Sequence, residues 1–151
     1  MARKIAIGAD HGGYELKEKI KKLLKRMKYS FEDVGTDSPE SCDYPEYGYN
    51  AAKKVSLKKA DRGIVICKTG IGMAVIANKV RGVRAGACNT KEDAISSRQH
   101  NDTNVLVLAA EEVPTKKALE IVKVWLKTKA LKGRHARRVR QIAAIEKKEF
   151  R

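Results

Sequence analysis

A cysteine ends one of the apolar segments of this chain, and two glycines follow it closely. The segment reads RGIVICKTGIG, with Cys67 at the end of the apolar run and Gly70 and Gly72 in the turn after it. A glycine-rich turn that opens a helix directs backbone N–H groups at one point, where they stabilise an anion or a developing oxyanion. The same surroundings lower the pKa of a nearby thiol. The pattern predicts proton abstraction beside a carbonyl group, although a lone cysteine at a strand end is more often a small core residue.

Residues capable of acid–base chemistry also stand beside two other predicted strands. The segment GADHGG places Asp10 and His11 directly after the first strand, and SRQHNDTN places His100 and Asn101 just before the fifth. In parallel α/β sheets, ligands bind beyond the carboxyl ends of the strands. The concentration of polar residues beside these strands therefore indicates a functional site rather than packing alone.

The segment KGRHARRVRQI near the end of the chain is strongly basic. Arg134 and Arg138 are one helical turn apart and share a face, so their guanidinium groups can grip a phosphate bidentately. A basic helix face exposed to solvent is the alternative interpretation of this segment alone.

Short apolar segments alternate with amphipathic ones along the chain. Strands are predicted over 4–9, 30–35, 62–67, 83–88 and 104–109. Helices are predicted over 14–27, 47–58, after Gly72, and over 91–99, 114–128 and 135–148. Near-continuous apolar strands alternating with helices predict a parallel sheet covered on both faces, an α/β doubly wound sandwich.

The overall composition favours one globular domain spanning residues 1–151. No apolar run approaches the ~20 residues that a membrane span needs, and the amino terminus does not have the pattern of a secretory signal. The three cysteines are irregularly spaced, which fits reduced thiols in the cytoplasm. We therefore expect a cytoplasmic protein with no membrane partner.

The net charge of +15 raises the question of nucleic-acid binding. In the predicted helix over 14–27, however, lysines surround an apolar stripe that includes Leu16, Ile20 and Leu24. A solvated helix face explains these charges more simply, so nucleic acid is not the expected partner.

Known cofactor and metal patterns do not match the sequence. No Walker A loop is present, and GIGMAV has Val75 where a dinucleotide-binding loop has its third glycine. The histidines are far apart, with no H-E-x-x-H pair. We expect neither a cofactor nor a metal.

Six segments together resemble the signature segments of type B ribose-5-phosphate isomerases. These enzymes form one sugar-phosphate isomerase family with the galactose-6-phosphate isomerase subunits. The segments are ADHGG, DYPEYG, CKTGIGMAVIANK, GVRAGAC, SRQHNDTNVLVL and GRHARRVRQIAAIE, which cover nearly the whole chain from Ile5 to Glu146. The resemblance implies a Rossmann-like five-stranded parallel sheet with a C-terminal helix. It also implies a homodimer, or a dimer of dimers, with sites near the subunit interface.

The resemblance further implies an aldose–ketose isomerisation of ribose 5-phosphate and ribulose 5-phosphate through a cis-enediolate. By matching position, Cys67 would take the proton from C2, and Thr69 would help at the sugar oxygens. His100, assisted by Asp10, would open the furanose ring. The backbone that would stabilise the enediolate runs over Thr69, Gly70, Ile71, Gly72 and Met73.

Substrate-binding roles carry over in the same way. Asn101 would hold the sugar. His11, Arg134 and Arg138 would bind the phosphate, together with His135.

Two residues depart from the family pattern. Lys68 occupies a position that is usually glycine, so a need for positive φ there would strain the loop. Glu111 occupies a position that is commonly arginine, where a carboxylate would repel a phosphate.

These departures keep two alternatives open. The first is the same reaction on a six-carbon sugar phosphate such as allose or galactose 6-phosphate. The second is a relative without catalysis that binds a phosphosugar or nucleic acid. The retention of Cys67, Thr69, His100, Asn101 and both arginines favours the isomerase.

Overall fold

The computed structural model describes residues 3–150 of the chain. Strands and helices alternate along it. The strands are β1 (Lys4–Ala9), β2 (Ser30–Asp33), β3 (Arg62–Cys67), β4 (Ala85–Ala87) and β5 (Val105–Ala109). The helices are α1 (Tyr14–Arg26), α2 (Tyr44–Ser56), α3 (Ile71–Ala77), α4 (Lys91–Asn101), α5 (Thr115–Lys127) and α6 (Arg134–Glu149), with a 3₁₀ turn at His11–Gly13.

The strands form one parallel sheet in the order β2-β1-β3-β5-β4. The winding reverses between β1 and β3, which lie side by side with Ala9 opposite Ile66. On the other side of β3, Cys67 lies opposite Ala109 at the end of β5. A reversal of this kind opens a crevice at the carboxyl ends of the two strands, where ligands of such sheets bind.

Alternation along the strands divides the core into two layers. On one face, Ile7, Ile64 and Ile66 pack against α1, α4 and α5, where Trp125 is fully buried. On the other face, Val65 and Cys67 pack against α2 and α3. Since successive side chains point to opposite faces, the apolar runs recognised in the sequence fill both layers. The predicted Rossmann-like α/β/α sandwich with its five-stranded parallel sheet is confirmed.

Several predicted boundaries are wrong by a few residues. Helix α2 begins at Tyr44 rather than near Tyr47, because Pro45 suits the first helical turn. Helix α3 begins at Ile71, before Gly72, and Pro114 caps α5 rather than lying inside it. The predicted strands over 30–35, 83–88 and 104–109 shorten to β2, β4 and β5.

Helix α6 lies on the outside of the molecule. It packs against α4, but none of its residues is buried. Two of its apolar side chains, Ile142 and Ile145, are exposed by 45% and 63%. Residues 3–150 contain no helix with the length and apolar character that a membrane span requires.

Candidate active site

The turn after β1 lies against the end of β3. The Asp10 N–H donates to the Ile66 carbonyl over 3.3 Å. The buried Asp10 carboxylate accepts hydrogen bonds from the N–H groups of Gly12 and Gly13, at 2.9 and 3.2 Å. A side-chain cap of this kind satisfies the free donors at a helical start. It therefore fixes the 3₁₀ turn that carries His11.

His11 receives a hydrogen bond that the sequence did not predict. The backbone N–H of Cys42 donates to His11 Nδ1 over 3.2 Å, and the Cys42 sulfur lies 3.9 Å from the same nitrogen. Because Nδ1 is the acceptor, the neutral ring carries its proton on Nε2. The contact uses a main-chain donor, so the residue type at position 42 gives no signal for it.

Cys67 ends β3 beneath the glycine turn. Its side chain is 6% exposed, and its sulfur accepts a hydrogen bond from the Gly70 N–H over 3.2 Å. Gly70 has φ of +78°, a left-handed conformation that favours glycine. A donor aimed at the sulfur interacts more favourably with a thiolate than with a thiol. The turn therefore holds a backbone donor against this sulfur.

The start of α3 presents backbone donors beside that sulfur. The first bond within the helix runs from the Ala74 N–H to the Gly70 carbonyl, and the Ile71 N–H donates to Thr69 Oγ1 over 3.3 Å. Within residues 3–150, no acceptor is found for the N–H groups of Gly72 and Met73. Donors left free in a first helical turn are suited to an anion.

Tyr44 is a neighbour of this turn that sequence reasoning missed. A Cβ added to Gly72 would lie 2.6 Å from the Tyr44 ring, so the ring rests directly on this glycine. The DYPEYG segment was recognised only as part of the family pattern. Its tyrosine forms one wall beside the donors of α3.

Lys68 does not strain the loop. Positive φ occurs at Gly70, and Lys68 is not among the residues of 3–150 with this conformation. Its stem lies over Gly12, because a Cβ added there would overlap the Lys68 Cγ. Its Nζ lies 3.9 Å from Glu111 Oε1. The two departures from the family pattern are therefore neighbours.

The remaining predicted site residues gather between α4 and α6. The rings of His100 and His135 are stacked, with centroids 4.3 Å apart and planes inclined by 10°. Asn101 and Arg138 line the same small pocket as these rings. The pKa of His135 is lowered by desolvation and then by repulsion from His100, Arg134 and Arg138. Like charges placed together in this way favour an anionic ligand.

Arg98 holds this second group together. Its buried guanidinium donates to the Asp102 carboxylate at 2.8 Å and to the carbonyls of Thr103 and Thr128. These bonds join the end of α4 to the segment that leads into α6. Arg98 belongs to the segment SRQHNDTN, whose polar residues indicated a functional site, and the structure gives it an internal role.

One chain does not bring the two groups together. Cys67 and Asp10 lie at the carboxyl edge of the sheet, whereas His100 ends α4 at the amino edge, just before β5. The part of β3 that pairs with β5 spans about 13 Å between these two edges. The expected assistance of His100 by Asp10 is therefore not formed within a single chain.

Comparison with known proteins agrees with this architecture. The family model described as Ribose/Galactose Isomerase matches residues 5–142. The chain belongs to the ribose/galactose isomerase family. This result confirms the family recognised from the sequence and the enzyme class, an isomerase.

Relatives of this isomerase resemble it over almost their whole length. Ribose-5-phosphate isomerase B of Escherichia coli strain K12 is 43% identical, covering 97% of this chain and 98% of the relative. The Clostridium thermocellum ribose-5-phosphate isomerase B structure has a TM-score of 0.94 at 50% identity, over 96% of this chain and 98% of that one. The Mycoplasma genitalium enzyme, solved with bound ribulose-5-phosphate, has a TM-score of 0.94 at 37% identity, over 97% and 98%.

Within residues 3–150, no three His, Cys, Asp or Glu side chains come together in a way that could hold a metal ion.

Proposed function

We propose that this isomerase interconverts ribose 5-phosphate and ribulose 5-phosphate through a cis-enediolate. The observation that carries the proposal is the Cys67 sulfur, buried beneath Gly70 at the start of α3, where the N–H groups of Gly72 and Met73 have no acceptor within residues 3–150. A base beside an oxyanion cradle suits proton abstraction next to a carbonyl. The names of the E. coli and C. thermocellum relatives, and the ribulose 5-phosphate bound to the M. genitalium enzyme, support the five-carbon substrate.

In the proposed reaction, His100 first moves a proton to open the furanose ring, with Asp10 assisting. The Cys67 thiolate then takes the proton from C2 of the aldehyde, and negative charge develops on O1. The N–H groups over Gly70, Ile71, Gly72 and Met73 stabilise the enediolate, while Thr69 contacts the sugar oxygens. The proton of the 2-hydroxyl group then passes to O1, and return of the proton from Cys67 to C1 forms the C2 carbonyl of the ketose and restores the thiolate.

The phosphate would lie away from the reacting carbon. His11 is suited to it, because its Nδ1 accepts from Cys42 and its Nε2–H is left as a donor. Arg134 and Arg138 of α6 supply guanidinium donors, together with His135. Asn101 holds the sugar. Binding energy from a remote phosphate orients the substrate for the chemical step.

We propose that each site is completed by a second copy of the chain in a homodimer, or in a dimer of dimers. Cys67 and His100 lie at opposite edges of the sheet, so within one chain only half of the required groups meet at either edge. Exposed apolar residues lie on the helices that carry the two groups of site residues. These are Ile71 and Val75 on α3, and Ile142 and Ile145 on α6. Such side chains are suited to an interface between subunits.

The compartment we propose is the cytoplasm. Cys42, Cys67 and Cys88 are unpaired cysteines in this structure. Free thiols, one of them required as the base, suit a reducing compartment.

The direct test is isomerisation of ribose 5-phosphate by the purified protein in EDTA, beside Cys67→Ala. We expect turnover in the wild type and a loss of at least a thousandfold in the variant, since the base is removed. Cys88→Ala is the control, because this cysteine is buried in the opposite layer of the core. Turnover of only allose 6-phosphate or galactose 6-phosphate would assign the six-carbon reaction to this protein. The departures from the family pattern at Lys68 and Glu111 keep that alternative open. No turnover of any of these sugar phosphates would favour the alternative of a relative without catalysis that binds a phosphosugar or nucleic acid.

A further inference from the structure

We propose that Lys68 is a phosphate-binding residue of this chain and that its ammonium group neutralises Glu111 until the substrate binds. The inference rests on the proposed function, because the ligand is the phosphate of the sugar substrate. It assigns a role to two residues that the family pattern does not explain.

The main chain places the two residues side by side. The Ala110 N–H donates to the Cys67 carbonyl over 2.9 Å, and the Glu111 N–H donates to the Lys68 carbonyl over 3.0 Å. The pairing of β3 with β5 thus continues beyond the strands. Positions 68 and 111 are neighbours because of the backbone, whatever side chains they carry.

The Lys68 side chain extends toward the turn of His11. Both its Cγ and its Cε lie close to where a Gly12 Cβ would be, so the stem crosses this glycine. The absence of a side chain at Gly12 leaves the room that the stem occupies. The ammonium is thereby carried toward the turn that holds His11, the proposed phosphate ligand.

The contact between Lys68 and Glu111 is loose enough to open. Their Nζ and Oε1 atoms are 3.9 Å apart, and the side chains are 51% and 62% exposed. Exposed ion pairs at this distance are weak. A phosphate dianion carries more charge than a carboxylate and accepts direct hydrogen bonds from an ammonium group. The substrate therefore competes successfully with Glu111 for Lys68.

The ion pair of Lys68 with Glu111 also reduces the electrostatic repulsion that the Glu111 carboxylate would otherwise exert on the phosphate. In the family pattern, a neutral glycine and a cationic arginine occupy these two positions. Here the cation stands at position 68, and Glu111 is neutralised by it. Without Lys68, Glu111 would face the phosphate unpaired and repel it.

The effects of substitutions at Lys68 and Glu111 on ribose 5-phosphate affinity should not be additive. Lys68→Met should weaken ribose 5-phosphate binding about tenfold, because a charged hydrogen bond is lost and Glu111 is left unpaired. Glu111→Gln should strengthen binding about twofold to threefold, since the ammonium is released. In the Lys68→Met background, Glu111→Gln should strengthen binding by more than the twofold to threefold gain that it gives in the wild type, because there it removes an unpaired negative charge.

The experiment is calorimetric titration of the full chain with ribose 5-phosphate, together with measurement of kcat and KM. Lys22→Met is the matched control, since Lys22 is an exposed residue of α1 that takes no part in the site. The control should bind like the wild type. We expect Lys68→Met to raise Kd and KM together, with kcat changed less than twofold.

The outcomes separate this inference from the proposed function. Unchanged ribose 5-phosphate affinity in Lys68→Met overturns the role of Lys68, while wild-type turnover leaves the isomerase intact. Wild-type binding that weakens in Lys68→Met without any turnover supports Lys68 and rejects the catalytic assignment. A gain from Glu111→Gln that is no larger in the Lys68→Met background than in the wild type rejects the coupling of Glu111 to Lys68. Absence of wild-type binding overturns both proposals.

Discussion

The Gly70 N–H donates to the Cys67 sulfur across a turn of three residues, over 3.2 Å. The donor belongs to the residue whose left-handed φ of +78° starts α3. The position of this donor, the direction of the helix and the surroundings of the thiol therefore depend on one backbone conformation. A change at Gly70 alters all three together.

Gly70→Ala is predicted to reduce turnover much more than stability. The new Cβ would meet Val107 at an ordinary contact distance of 3.4 Å, so the cost comes from φ and not from space. That cost is about 1–2 kcal/mol, and relaxation of the turn moves the N–H away from the sulfur. We expect kcat to fall at least tenfold.

Gly82→Ala provides a matched comparison for this backbone effect. Gly82 has φ of +80° and open space around it, in the loop before β4. It should lose a similar amount of free energy of unfolding in urea while keeping kcat. Equal loss of kcat in the two variants would contradict a specific role for the Gly70 donor.

Mixing two inactive variants is predicted to restore activity. In a dimer with shared sites, Cys67→Ala and His100→Ala each disable every site of their own homodimer. A mixed dimer keeps one site with both residues intact. After unfolding and refolding equal amounts together, we expect about a quarter of the wild-type activity, from random pairing of subunits.

Each variant refolded alone is the control for that mixture. Activity no greater than the sum of the two controls would mean that Cys67 and His100 do not act across a subunit boundary. Size-exclusion chromatography of the mixture checks that dimers have formed.

Gly72→Ala is predicted to destabilise the fold through the Tyr44 ring. The added methyl group would lie 2.6 Å from ring carbons, which forces the ring or α3 to move. Overpacking of this kind costs about 1–3 kcal/mol. In a Tyr44→Ala background, the same substitution should cost much less, and urea unfolding of the four proteins measures the difference. An unchanged cost in both backgrounds would rule out the ring contact as the cause.

The pH dependence of stability is predicted to include a contribution from Asp33. Burial raises the pKa of Asp33, but hydrogen bonds from Lys17, Lys21 and the Gly35 N–H lower it below its ordinary value of 3.8. A carboxyl with a lowered pKa in the folded state stabilises the fold above its unfolded pKa. This stabilisation is lost as the pH falls through the folded pKa.

Asp33→Asn should therefore be less stable than the wild type at pH 7, by about 2 kcal/mol, because buried Lys17 loses one of its two carboxylate partners and keeps only Glu18. The difference should shrink as the pH falls below about 4, where the unfolded chain first takes up a proton at Asp33 and the folded carboxyl follows at its lowered pKa. Urea unfolding from pH 7 to pH 2 measures it. A difference that stays constant with pH would exclude the ionised carboxylate as its source. Lys17→Met, which buries an apolar stem of similar length, should cost less at pH 7.

The sequence predicted the helix and sheet layers of the fold better than the contacts between individual residues. Apolar runs such as RGIVIC identified β3, since a strand buried on both faces needs them. The hydrogen bond from Cys42 to His11 uses a main-chain N–H, and the contact of Tyr44 with Gly72 depends on how α2 crosses α3. Neither kind of contact leaves a pattern in one sequence.

The sequence predicted which residues form the site but not how they are arranged in space. Cys67 ends β3 and His100 precedes β5, so the two residues lie at opposite edges of a parallel sheet. This separation follows from the predicted strands, but the polar residues were grouped into one site without regard to which end of a strand each one occupies. By contrast, positions 68 and 111 are distant in sequence and become neighbours only through strand continuation.

Helix α6 carries Arg134 and Arg138 yet has no buried residue. Folding of the two core layers therefore makes few demands on its sequence, whereas the proposed phosphate contacts and the proposed subunit interface make several. Substitutions at Arg134 or Arg138 should accordingly weaken phosphate binding at little cost to the free energy of unfolding of one chain. Selection acts on this outer helix through binding and assembly, whereas at the buried turn of Cys67 it acts through the core as well.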